Sequence, residues 1–167
     1  MTDSDIIRRG IEPYFLTIKG IVVHGYKRGR MIGYPTANLG DIKTKGEYSD
    51  LKDGTYAGFC HISPKKECSY EHSVIYPCLV SIGTNPTFNG TSTVPKTIEV
   101  HICHIFPEEF YGQNLSVCLT SFIRPIVHFS SIDELKKTIT LDKEYFLDHQ
   151  ADIMREKRSE IMKGLFE

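Results

Sequence analysis

The residues best suited to chemistry in this 167-residue chain cluster between positions 25 and 40, GYKRGRMIGYPTANLG. Gly25, Gly29 and Gly33 recur at intervals of four. Glycine lets backbone N–H groups approach an anion with no Cβ in the way. Lys27, Arg28 and Arg30 stand among them. Glycine with cations suits a polyphosphate. The spacing is neither GxxxxGKS/T nor GxGxxG, and a flexible basic surface loop is the competing reading.

Tyr34-Pro35-Thr36-Ala37-Asn38 follows directly. Pro35 fixes its own φ and pushes Tyr34 toward extended geometry. If Thr36 to Asn38 is extended as well, the hydroxyl of Thr36 and the amide of Asn38 point to one side. Two neutral oxygen ligands hold Mg²⁺ weakly, so the ion would have to arrive with phosphates and keep waters. The alternative is a turn in which Thr36 or Asn38 bonds local backbone.

Glu99 is the third candidate. KTIEVHICHIF, residues 96–106, alternates as a strand does, with Ile98, Val100 and Ile102 on one face and Thr97, Glu99 and His101 on the other. A carboxylate fixed on a rigid strand can take a proton from an attacking hydroxyl. A solvated outer charge is the plainer reading, and His101 reads as structural. His101, Cys103 and His104 resemble a metal cluster only superficially, because adjacent strand residues face opposite ways.

The elements that must hold these groups are mostly strands. Residues 15–24, 54–62, 73–83, 96–106 and 115–124 carry the β-branched and aromatic content of strands. Pro77 argues for an edge or a bulge in the third. Residues 25–40 read as a long loop and 41–53 as further surface connection. Ser130, Ser131 and Asp133 offer helix caps, and Asp142 offers another before a stretch with Phe146, Ile153 and Ile161 on one face. Strands followed by helix, without alternation, mean an antiparallel barrel or sandwich with a helix packed on it.

Composition narrows the function. The net charge is −1 and hydrophobic residues make up 40%. Near-neutrality counts against a whole-surface nucleic-acid binder. No apolar run approaches the ~20 residues of a membrane span, and Met1 to Gly10 lacks a signal-peptide core. Five cysteines, widely spaced and without CxxC, suit a reducing compartment better than a disulfide framework. The expectations are a cytoplasmic protein with no nucleic-acid or membrane partner.

Several blocks, in order, resemble the riboflavin kinase (flavokinase) family: VVHGYKRGRMIGYPTANL (22–39), SIGTNPTF (81–88), TIEVHI (97–102), FYGQNLSV (110–117), FIRP (122–125) and IDELKKTITLD (132–142). The resemblance implies a mainly β fold, a six-stranded antiparallel Greek-key barrel with a C-terminal α-helix. It implies one domain over 1–167, with the barrel about 14–128 and the helical part about 131–163. It implies transfer of the ATP γ-phosphoryl group to the 5′-hydroxyl of riboflavin, giving FMN and ADP, with Mg²⁺, or else Zn²⁺ or Mn²⁺. On this likeness Glu99 is the catalytic base, and Thr36 and Asn38 bind metal and phosphate. Gly25, Gly29 and Arg30 belong to a flap over the nucleotide, closing when it binds, and Asn85 lies near the nucleotide. Tyr111 and Arg124 belong to the flavin side. After Arg124-Pro125 the family usually has Glu, where this chain has Ile126. A monomer is expected. The other readings are a flavin- or nucleic-acid-binding small barrel without kinase activity.

Overall fold

The computed structural model describes residues 7–23, 36–44, 51–63, 74–84, 96–106 and 111–167. Among them six strands precede one helix: β1 Glu12–Val23, β2 Ala37–Thr44, β3 Gly54–Ile62, β4 Tyr76–Thr84, β5 Lys96–Ile102, β6 Asn114–Pro125 and α1 Ile132–Phe166. Every strand pairs antiparallel with two neighbours in the order β1-β2-β5-β4-β3-β6, and β6 returns to β1. The sheet therefore closes. β3, β4 and β5 are consecutive neighbours while β2 lies beside β5, which is the Greek-key connection. This is the architecture that the resemblance implied.

The two faces of the wall explain the sequence pattern. Ile18, Val22, Leu39, Tyr56, Val80, Ile98, Val100, Val117 and Leu119 fill the interior with other buried residues. Ala57, Phe59, Leu79, Cys118 and Ile123 form a second cluster with Phe146, Ile161 and Leu165 of the helix. Strand β3 is buried on almost every residue, because one face meets the interior and the other meets α1. Gly58 sits where the β3–β6 register shifts, and a Cβ there would run into the carbonyl oxygen of Cys118. Only glycine allows that approach.

Four sequence expectations are corrected. Residues 37–44, read as loop and connection, form β2. Pro35 and Gly40 made ANLGDIKT look like a turn. Gly40 instead allows close packing, since a Cβ there would lie 2.9 Å from Cγ1 of Val23. Pro77 is at no edge of the closed sheet. It pairs with Phe59, and its carbonyl accepts from the Cys103 amide at 2.9 Å, just past the end of β5. The missing proline N–H therefore costs no bond within β5. Strand β5 stops at Ile102, so strand alternation does not govern Cys103 and His104. The His104 ring instead packs with Tyr76 and Phe106, at 4.7 Å from each.

The fourth correction concerns Asp142. It caps nothing, because α1 runs unbroken for 35 residues, roughly 52 Å at 1.5 Å per residue. Ser131 is the N-cap, accepting from the Glu134 amide at 3.2 Å. Thr138, Asp142 and Phe146 follow at intervals of four, one buried stripe. The Asp142 side chain is 1% exposed. It receives Arg124 Nη2 at 2.8 Å and Nε at 3.0 and 3.1 Å, and Arg9 Nε at 2.7 Å. At the other end Gly164 seats the helix on β1, where a Cβ would meet Thr17 Oγ1 at 2.5 Å.

Two outcomes follow from this packing. Asp142→Asn leaves the buried Arg124 and the largely buried Arg9 without their carboxylate, so unfolding free energy should fall by about 3–5 kcal/mol. Chemical denaturation of both forms measures it. Tyr56 donates to the Lys52 carbonyl at 2.7 Å within the rings of Tyr14 and Phe122. Burial first, then the charges of Tyr14, Asp53 and Glu12, push its phenol from 10.0 up to about 12. The fold favours the neutral phenol, so this contribution is intact below pH 10 and lost as pH rises toward 12. Stability measured along an alkaline pH series should fall in that window, and Tyr56→Phe should flatten the fall.

Candidate active site

The outer face where β2 meets β5 carries the candidate groups. Val100 pairs with Ala37 and Glu99 with Asn38. Ala37 and Val100 are buried in the interior cluster, so by strand alternation Asn38 and Glu99 both face outward. Directly opposed residues in an antiparallel pair lie about 5 Å apart at Cα. The structure thus brings the carboxylate and the carboxamide side by side. Both are half-buried, as is Thr36, which stands just before β2. On the flanking strands Val23 pairs with Asn38 and Ser81 pairs with Glu99, and both are exposed. The helix packs on β6, β3, β4 and β1, so the β2–β5 seam lies on strands outside that covered set.

A clasp secures the start of β5. Asp53 accepts from Lys96 Nζ at 2.5 Å, from the Thr84 amide at 2.9 Å and from Thr84 Oγ1 at 2.7 Å. Burial alone would raise the Asp53 carboxyl, but the bonds from Lys96 and Thr84 turn the shift downward. Thr84 and Lys96 are themselves Cα partners. The ends of β4 and β5 are therefore tied to the entrance of β3, three residues before Glu99.

Tyr111 comes to the same end of the barrel as Asn38. The Gly112 amide donates to the Val22 carbonyl at 2.8 Å, and the Val22 amide donates to the Gln113 carbonyl at 3.0 Å. Val23, next in β1, is the partner of Asn38. The Tyr111 side chain packs against the interior cluster. Arg124 is not brought to this group. Following the pairings Glu99–Ser81, Ser81–Thr55 and Thr55–Arg124, it lies three strands round the wall, about 14 Å at the usual strand spacing. Its guanidinium is engaged by Asp142 and by the Pro125 carbonyl, the latter at 3.2 Å. Ile126, just beyond β6, is exposed. Gly25, Gly29, Arg30 and Asn85, with the expected flap, lie outside the described residues.

Two features escaped the sequence reading. Asp142 was legible in principle, since its four-residue spacing from Thr138 and Phe146 places it on the buried stripe. A groove of about 770 Å³ along β1 and β6, bordered by Lys19, Ile21, His61, Asn114, Ser116 and Phe166, left no sequence signal. Its walls meet only through tertiary packing. Among the described residues, no helix is long and apolar enough to cross a membrane.

The chain is similar to known proteins. The family model for riboflavin kinase, Flavokinase, matches residues 12–150. Riboflavin kinase of Homo sapiens is 34% identical over 133 residues, covering 79% of this chain and 77% of that one. The bifunctional riboflavin kinase/FMN adenylyltransferase of Bacillus subtilis is 38% identical over 144 residues, covering 86% of this chain and 41% of that protein. Among solved structures, riboflavin kinase from Trypanosoma brucei matches with a TM-score of 0.61 at 26% identity, covering 90% of this chain and 87% of the other. The match runs from the first residue of β1 into α1 and takes in the whole β2–β5 seam, and the chain belongs to the riboflavin kinase family.

Proposed function

We propose that this chain carries out ATP-dependent phosphorylation of riboflavin, giving FMN and ADP, on the outer face of the β2–β5 seam. The observation that carries the site assignment is the register pairing Asn38 with Glu99. It puts a carboxylate beside a carboxamide on a rigid wall, which supports reading the first as proton acceptor and the second as oxygen ligand. Phosphoryl transfer asks mainly for positioning and charge neutralisation. Glu99 accepts the proton of the ribityl 5′-hydroxyl as that oxygen bonds to the γ-phosphorus, and the bond to the ADP oxygen breaks.

The donor set suits a metal that arrives with its phosphates. Thr36 and Asn38 supply neutral oxygens, and Mg²⁺ brought with ATP would be held by both. Bound there, the ion supplies neutralisation of phosphate charge. Zn²⁺ and Mn²⁺ are the alternatives, separable by assaying each alone. Family likeness supports Gly25, Gly29, Arg30 and Asn85 as nucleotide contacts. It also supports Tyr111 and Arg124 on the flavin side, Arg124 acting there through the backbone it holds. Four described thiols, Cys60, Cys78, Cys103 and Cys118, are free, which fits a cytoplasmic protein, and the self-contained barrel fits a monomer. A flavin- or nucleic-acid-binding barrel without kinase activity is not favoured by the family match.

Incubation with riboflavin and MgATP, followed by chromatography, should yield FMN. In that assay Glu99→Gln keeps size but loses proton acceptance, and turnover should fall roughly 10²–10⁴-fold with the fold intact. Near-normal turnover would remove Glu99 from the mechanism. Thr36→Ala and Asn38→Ala each delete one oxygen ligand. Calorimetric titration should show weaker MgATP binding in both, with riboflavin binding less affected. Unchanged MgATP affinity in both would make Thr36 and Asn38 structural.

A further inference from the structure

Asp142 is held by two arginines that are remote from each other in the chain. Arg124 closes β6. Arg9 comes from the segment ahead of β1, before the matched region begins at residue 12. Arg9 Nε donates to Asp142 Oδ1 at 2.7 Å, and Nη2 donates to the Thr138 carbonyl at 3.2 Å. Next to it the Gly10 amide donates to the Ile123 carbonyl at 3.0 Å, and Ile11 packs on the cluster between barrel and helix. Residues 9–11 thus form a strap bonded to α1 on one side and to the end of β6 on the other.

The geometry gives the strap a task that Arg124 cannot perform alone. The Arg124 fork bonds both carboxylate oxygens of Asp142, Oδ1 through Nε and Oδ2 through Nε and Nη2. Arg124 reaches α1 at this one side chain, while Phe146, Ile161 and Leu165 seat the helix by apolar packing. Arg9 shares Oδ1 with Arg124 and also holds the helix backbone four residues earlier. These contacts fix α1 in rotation as well as in distance, at side chains 11%, 6% and 1% exposed for Arg9, Arg124 and Asp142. Charge arithmetic makes Arg9 the separable partner. Without it one carboxylate still faces one guanidinium, whereas without Asp142 two cations are left with no carboxylate between them.

We infer that Arg9 is a positioning residue for riboflavin, clamping the first turns of α1 against the end of β6 and so setting the backbone around Arg124 and Pro125. This rests on the proposed reading that places the flavin side at Arg124. MgATP binding at the β2–β5 seam lies elsewhere on the wall and does not depend on the strap.

The test compares the unaltered chain with Arg9→Gln, and with Arg9→Lys, which keeps the charge without the fork. Riboflavin binding is read by quenching of its fluorescence, MgADP binding by calorimetry, and helix order by amide hydrogen exchange. In Arg9→Gln the riboflavin Kd and KM should rise roughly five- to twenty-fold, the lower part of the range for coupling between sites. The kcat should stay within about twofold, and MgADP affinity should be unchanged. Exchange should quicken at 132–142 and not at 150–166, with Arg9→Lys intermediate. Unchanged riboflavin affinity in a folded Arg9→Gln protein overturns the inference. Parallel loss of both affinities overturns it too, since that marks general loosening. If the unaltered chain binds no riboflavin, the kinase reading fails, and exchange at 132–142 still decides whether Arg9 clamps the helix.

Discussion

The contact on which the site depends is the pairing of β2 with β5. It joins two strands far apart in sequence through Ala37–Val100 and Asn38–Glu99. The first pair belongs to the interior and the second to the outer face, so the hydrophobic effect that buries Ala37 and Val100 also presents Asn38 and Glu99 together. A slip of one residue would turn the carboxylate into the core and the valine into solvent. A charged group is costly to bury without a partner. The stability of the barrel and the geometry of the site are thus enforced by the same register.

The rest of the wall supports that register from both sides. β6 pairs along much of its length with both β1 and β3, which closes the cylinder and leaves no open edge among the described strands. The helix covers the outer face of β3, β4 and β6, and the β2–β5 seam lies outside that cover. This division explains why β3 reads as an unbroken buried run, while in β5 Glu99 is half-buried between buried Ile98 and Val100.

Charge is placed with the same economy. Asp142 gathers Arg9 and Arg124 within the helix–barrel contact, and Asp53 gathers Lys96 and Thr84 at the mouth of the β4–β5 hairpin. Each carboxylate ties elements that lie far apart in the chain. A buried ion pair adds little net stability against an apolar substitute, but breaking one is expensive. Such pairs therefore specify where the elements meet more than they strengthen the fold.

The sequence by itself determined the strands with strong alternation, a helix start capped from among Ser130, Ser131 and Asp133, and the choice of Thr36, Asn38 and Glu99 as candidates. Those signals are local, set by period-two patterning, by side-chain hydrogen bonding and by residue chemistry. The motif blocks added the family and with it the Greek-key barrel. Strand β2 escaped because its alternation is short, Ala37 and Leu39 alone, and Pro35 and Gly40 on either side signal a loop. It is a strand because β1 and β5 offer it hydrogen bonds. Asp142 was misread for a related reason. An acidic residue ahead of an apolar stretch reads as a cap, and nothing local announces that Arg9 and Arg124 will arrive to neutralise it. Which residues face one another across the wall, and which charges share a partner, was decided only when the sheet closed. Those contacts join residues that are remote in sequence, and remote pairing leaves no local trace.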